Sequence, residues 1–127
     1  MKRGTKWMAM ALTSLLGAVA GAGEKVNKPV QVTSEHASGP LGSARNSPDA
    51  VQRIGCSITT YAGSAPLLTC FAHSLNTYGS CTSDDPYLVT TARAINGDSY
   101  ILFRWNALGR CTSLYVENAS AYAPKQL

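Results

Sequence analysis

No part of this sequence carries a G-x-G-x-x-G or G-x4-G-K phosphate loop, a G-x-S-x-G nucleophile elbow, a C-x2-C pair or the ligand pattern of an EF-hand calcium loop. The missing glycine loops and the missing elbow remove the usual signatures of nucleotide binding and of α/β-hydrolase chemistry. The missing C-x2-C argues against zinc, because four cysteines spaced 14, 11 and 30 apart beside one histidine do not form a ligand cluster. Asp84, Asp85 and Asp98 match no calcium loop and read as a cap and solvated turns. Histidine and phenylalanine are scarce, at two residues each, and there are no internal repeats. No metal and no cofactor is expected. No apolar run reaches the roughly 20 residues needed to cross a bilayer.

What stands at the N-terminus is MKRGTKWMAMALTSLLGAVA, with three positive charges in the first six positions, an apolar run from Trp7 to Leu16 and small residues up to Ala20. That is the layout of a secretory signal peptide. Ala18-Val19-Ala20 fits the small-x-small cleavage rule, so residues 1–20 are expected to be removed, with Ala20-Gly21-Ala22 as a neighbouring alternative. Cleavage would also discard Lys2, Arg3 and Lys6, turning eleven basic residues against seven acidic ones into eight against seven. A nearly neutral chain has no electrostatic reason to seek a polyanion. The expected location is secreted or periplasmic, with no nucleic-acid partner and no membrane anchor after signal cleavage.

Residues 21–46 are rich in Gly, Ser, Pro and Ala, with isolated valines and no sustained period of 2 or 3.6. Such a segment is expected to be a flexible leader, because it has little apolar surface to offset its ordering entropy. Pro29 to Thr33 could form a short extended piece, and His36 is expected to be solvated. Residues 47–127 are expected to form one small, disulfide-stapled, mainly β domain, a small antiparallel sandwich or meander sheet. Gln52 to Tyr61 alternates Ile54, Cys56 and Ile58 against Arg53, Ser57 and Thr59, the period of a half-buried strand. Further strands are expected at Pro66 to His73, 77–82, Ser99 to Trp105 (core face Ile101, Phe103 and Trp105) and Cys111 to Asn118, the last pair joined through a turn in which Gly109 takes positive φ. Residues 84–95 carry conflicting signals. Asp85-Pro86 opens like a capped helix, while Val89-Thr90-Thr91 and Asn96-Gly97 suit a strand and hairpin. The start signal favours a short helix.

An exported chain with four cysteines is expected to hold two disulfides. Turns at 62–64 and at Leu75-Asn76 would set Cys56 opposite Cys70 and Cys70 opposite Cys81, in one row on one face. Cys70 could then bond to either neighbour. Cys56 with Cys70 and Cys81 with Cys111 is preferred, because it ties an end strand to the middle of the domain; Cys70 with Cys81 and Cys56 with Cys111 remains open.

His73 is the one credible general base in the domain. If the chain were an enzyme, His73, Glu117 and Arg104, with Arg110, would supply the residue types used by small secreted ribonucleases, without supplying a motif. The plainer alternative for His73 is a solvent-facing residue at a strand end. The six tyrosines and Trp105 suit surfaces that are apolar at one end and wet at the other. Tyr78, Tyr87, Trp105 and Tyr115 are the binding candidates, weighed against the plainer role of filling a small core. Asn118-Ala119-Ser120 is formally a glycosylation acceptor.

The run Gly97 to Trp105, then Gly109 to Asn118, closing on Ala123-Pro124-Lys125, resembles small exported proteins of unknown function from Gram-negative bacteria, over about residues 45 to 125. The resemblance implies export and carries no activity to any position. The expected function is a non-enzymatic binding or structural module for an unknown extracellular protein or glycan. Two alternatives are a small nuclease-like hydrolase using His73, and a secreted enzyme inhibitor presenting Thr82 to Pro86 as its tip.

Overall fold

The computed structural model describes residues 23–126; the signal peptide expected at 1–20 lies outside them. In chain order the elements are β1 (Gln31–Val32), β2 (His36–Pro40), α1 (Leu41–Arg45), β3 (Arg53–Thr59), β4 (Leu67–His73), β5 (Tyr78–Ser83), α2 (Pro86–Ala92), β6 (Ser99–Trp105) and β7 (Cys111–Asn118). The fold is mainly β, with two antiparallel sheets. One has the order β1-β2-β6-β7 and the other is the meander β3-β4-β5. Both sheets contribute to one buried cluster, with Leu68, Cys70 and Ala72 from β4 and Ile101 and Phe103 from β6 all at 0% exposure.

The meander has the register implied by its turns. Cys56 faces Cys70, Cys70 faces Cys81 and His73 faces Tyr78. The three cysteines therefore share the inner face with Ile54, Ala72 and Leu68, and the outer face carries Arg53, Phe71, His73 and Ser80. The tip at Leu75-Asn76 is closed by Ser74, whose Oγ accepts from Thr77 N–H at 3.0 Å while its own N–H donates to Thr77 O at 2.9 Å. Disulfides join Cys56 to Cys70 and Cys81 to Cys111, so the second one links the two sheets. The same seam is sewn by Thr82 N–H donating to Gly109 O at 3.1 Å.

The short helix forms as α2. Asp85 Oδ1 accepts from Tyr87 N–H at 2.8 Å and Leu88 N–H at 3.3 Å, supplying two of the orphan donors of a first turn. Pro86 occupies the start of the helix, where its missing N–H costs nothing. In the β6–β7 turn, Gly109 has φ +72° and Asn106 Oδ1 accepts from Leu108 N–H and Arg110 N–H. Ile101 and Phe103 are fully buried as expected, while Trp105, beyond a bulge at Arg104/Trp105, is only partly so.

The flexible leader expected over 21–46, of which residues 21 and 22 lie outside the described residues, is corrected by the structure over residues 31–46. From Gln31 onward the chain is woven into the larger sheet, with β2 lying between β1 and β6. Ala37 is paired with Phe103 and Gly39 with Ile101, and Ala37, Ser38, Gly39 and Pro40 are all buried. Gly39 packs closely within the arm, since a Cβ there would lie 3.3 Å from Val30 Cα, a contact that would push Val30 aside by a few tenths of an ångström. The arm is then tied to the meander through Gln52, whose Oε1 accepts from Val30 N–H at 2.8 Å and whose amide nitrogen donates to Asp49 Oδ2 at 2.7 Å. His36 is not loose either. It sits in β2, half-buried, with Nδ1 3.0 Å from Thr33 Oγ1.

Candidate binding surface

Trp105 ends β6 at the open edge between the two sheets. Its ring rests on Gly79 of β5, where a Cβ would approach Trp105 Cη2 to 2.7 Å, so the glycine is what lets the indole lie against the meander. The turn between β1 and β2 supplies the opposite wall. Thr33 Oγ1 accepts from Glu35 N–H at 3.3 Å and His36 N–H at 3.1 Å, and Trp105 N–H donates to Glu35 O at 3.1 Å. These bonds hold Ser34 and Glu35 beside the indole.

Two depressions meet at Trp105. One, of about 560 Å³, runs past Val32, Thr77, Tyr78 and Gly79; the other, of about 470 Å³, runs past Glu35, Asn106 and Gly109. Both are lined by Ser34, Ser80 and Trp105, so together they form one groove along the seam. It presents two aromatic side chains, Trp105 and Tyr78, several hydroxyls, one amide and one carboxylate. Sequence reasoning named Tyr78 and Trp105 separately, and the fold brings them to the same groove. Ser34 and Glu35 were missed because their segment was read as a loose leader.

Tyr115 belongs to a different surface, the outer face of the larger sheet. Its hydroxyl donates to Glu117 Oε2 at 3.0 Å, and Tyr122 donates to the same oxygen at 3.1 Å. Tyr100 stacks on Tyr122 with ring centroids 5.5 Å apart and meets Tyr115 edge-on at 6.3 Å. Hydrogen bonding to Glu117 raises the Tyr115 phenol, and burial, aided by Glu117, pushes Tyr122 up to about 12. Both phenols thus stay protonated, as donors to Glu117, to higher pH than an ordinary tyrosine. Tyr87 stands apart on α2, 82% exposed.

The three residues of the hydrolase alternative are not brought together. His73 points outward from the meander and meets Tyr78 edge-on, 5.7 Å between ring centroids. Arg104 and Glu117 point outward from the larger sheet, on the other side of the shared core, where they flank the tyrosines. A general base and an anion-stabilising arginine must act on one substrate within hydrogen-bond reach. Arg110 is engaged elsewhere, donating to Asp84 Oδ1 at 3.0 Å.

In the Thr82 to Pro86 segment Ser83 is 4% exposed, while Asp84, Asp85 and Pro86 are exposed, with Asp84 paired to Arg110 and Asp85 capping α2. The Asn118 amide is likewise occupied, donating to Ala94 O at 3.0 Å and accepting from Ser99 Oγ. Among the described residues no group of three or more His, Cys, Asp and Glu side chains converges as a metal site. No helix among them is long and apolar enough to cross a membrane. The two disulfides favour an oxidising extracellular or periplasmic setting. Neither the models of protein families, nor the curated proteins, nor the solved structures provide a match to this chain.

Proposed function

We propose that the chain is an exported, non-enzymatic binding module that holds a glycan in the groove at Trp105. The observation that carries this reading is the indole set between two depressions that share Ser34 and Ser80. A pyranose ring offers a flat C–H face that stacks on an aromatic ring and a rim of hydroxyls that need hydrogen-bonding partners. The groove supplies the ring through Trp105 and partners through Ser34, Ser80, Glu35 and Asn106. A protein partner is less well served, since a stable protein interface needs about 800 Å² from each side, centred on buried apolar anchors. The large exposed apolar residues here, such as Leu67, Leu75 and Leu108, are scattered among different turns and edges. Export is supported by the N-terminal pattern and the two disulfides.

The chain has two tryptophans, Trp7 in the expected signal peptide and Trp105, so after cleavage indole emission reports on Trp105 alone. Titration with a panel of neutral and acidic oligosaccharides is expected to shift that emission saturably for at least one member. Ser80→Arg, at an exposed position in the groove, should abolish the response without altering the fold. A panel with no response refutes the glycan reading. Turnover of any substrate that His73→Ala eliminates in a folded protein would replace it with the hydrolase.

A further inference from the structure

A cavity of about 660 Å³ lies where the two ends of the described chain meet, away from the Trp105 groove. Its walls are Lys25–Pro29, Ser43 with residues 46–48, and Ser120–Pro124, with Gln52 behind them. The walls are fixed to one another. Val26 N–H donates to Ala121 O at 2.8 Å, and the Asn46 side chain donates to Pro124 O at 3.1 Å while accepting from Gln126 N–H at 2.8 Å. Gly42 of α1 backs so closely onto Ala123 that a Cβ would overlap its carbonyl oxygen. The space is therefore built into the fold.

The chemistry of the lining is one-sided. Val26, Pro29, Pro48, Tyr122 and Pro124 give it an apolar wall, and Lys25 and Lys28 are the only charged residues that line it; Glu117, which accepts from Tyr122, lies outside it in the neighbouring depression that Lys28 also borders. The wall also includes Ser43, 7% exposed, whose Oγ is the one buried side-chain polar atom among the described residues without a hydrogen-bond partner. Buried hydroxyls are normally satisfied, so one without a protein partner in the wall of a cavity is free to bond to a group that enters it.

We propose that this cavity binds a small anionic amphiphile of the medium-chain carboxylate class. The carboxylate is drawn by Lys25 and Lys28, the alkyl chain packs on Val26, Pro48 and Tyr122, and Ser43 Oγ donates to a carboxylate oxygen. This inference goes beyond the glycan reading and does not rest on it.

Sodium decanoate, 1-decanol and decyltrimethylammonium, each below its micellar concentration, can be titrated into the disulfide-intact protein and followed by amide NMR. Decanoate is expected to shift Val26, Asn46, Ala121 and Ala123 saturably, with decanol weaker and the cation inert. Lys25→Gln with Lys28→Gln should weaken decanoate about tenfold and leave decanol unchanged. Ser43→Ala should weaken decanoate by about tenfold without lowering the melting temperature, because the hydroxyl it removes bonds to no protein group. Equal binding of all three probes, or shifts centred on Leu67, Leu75 or Leu108 instead, would show surface adsorption and overturn the proposal. So would the absence of any shift with decanoate. Emission from Trp105 is read separately, so this result and the glycan result are independent.

Discussion

Residues 31–46 and the meander at 53–83 are both buried parts of one sandwich, yet they are written in different ways. The meander sets Ile54, Cys56 and Ile58 and then Leu68, Cys70 and Ala72 inward at a period of two, with Ser57 exposed and Thr69 and Phe71 only half-buried between them, so each strand announces its own face. In β2 the residues Ala37, Ser38, Gly39 and Pro40 are buried one after another, and none is large. A strand lying between two others, with both faces covered, needs no alternation. Its ordering is supported by backbone pairing with β1 and β6 and by the bulk of Ile101 and Phe103 opposite it. Apolar area counted within a segment therefore misses segments that are buried by their neighbours.

If the two regions are equally integral, a charge placed in either core should be equally damaging. Ala37→Asp puts an unpaired carboxylate at a position with 0% exposure and should cost about 3–5 kcal/mol in denaturant unfolding. A loose leader would tolerate it silently. The meander is distinguished by its staples. Replacing Cys81 and Cys111 with alanine opens a link of separation 30 and should cost about 3.6 kcal/mol; replacing Cys56 and Cys70, separation 14, should cost about 3 kcal/mol. Chemical denaturation of the two double variants gives the comparison, and an inverted order would show that chain entropy is not what sets the difference.

Where the regions meet, Gly79→Ala should displace the Trp105 indole and Val32 and cost about 1–3 kcal/mol, with a changed Trp105 emission as its marker. The smallest effect concerns Asp49, whose carboxyl is held down to about 2 by the Gln52 backbone N–H, then by the Gln52 side chain and the Val51 N–H. A carboxyl depressed in the folded state stabilises the fold above its ordinary pKa of 3.8, and that contribution disappears as pH falls from there toward 2. Asp49→Asn should flatten the acid limb of the stability profile in that window. An unchanged limb would remove Asp49 from the link between arm and meander.

The same contrast explains what was legible in the sequence. The register of β3, β4 and β5, the row of Cys56, Cys70 and Cys81 across them, the capped helix at Asp85-Pro86 and the turn at Gly109 all depend on local spacing and on residues whose physics is local, whereas the choice between the two cysteine pairings depends on how the sheets meet. β2 depends on partners more than sixty residues away, as in the pairing of Ala37 with Phe103. The candidate surface divides in the same way. Trp105 and Tyr78 stood out by residue type, whereas Ser34, Glu35 and Gly79 become meaningful only when the arm folds back on the seam. The cavity between Lys25, Ser43 and Tyr122 likewise joins three stretches that no short-range pattern connects.

The central claim is that the small-residue arm is part of the sandwich and builds one wall of the Trp105 groove. Residue-resolved amide hydrogen exchange on the disulfide-intact protein tests it directly. The account predicts that amides of residues 36–40 engaged in the sheet exchange on the timescale of β6, through the global unfolding reaction. Exchange of residues 31–46 at the rate of an unstructured peptide, beside a protected β6 and meander, would contradict it.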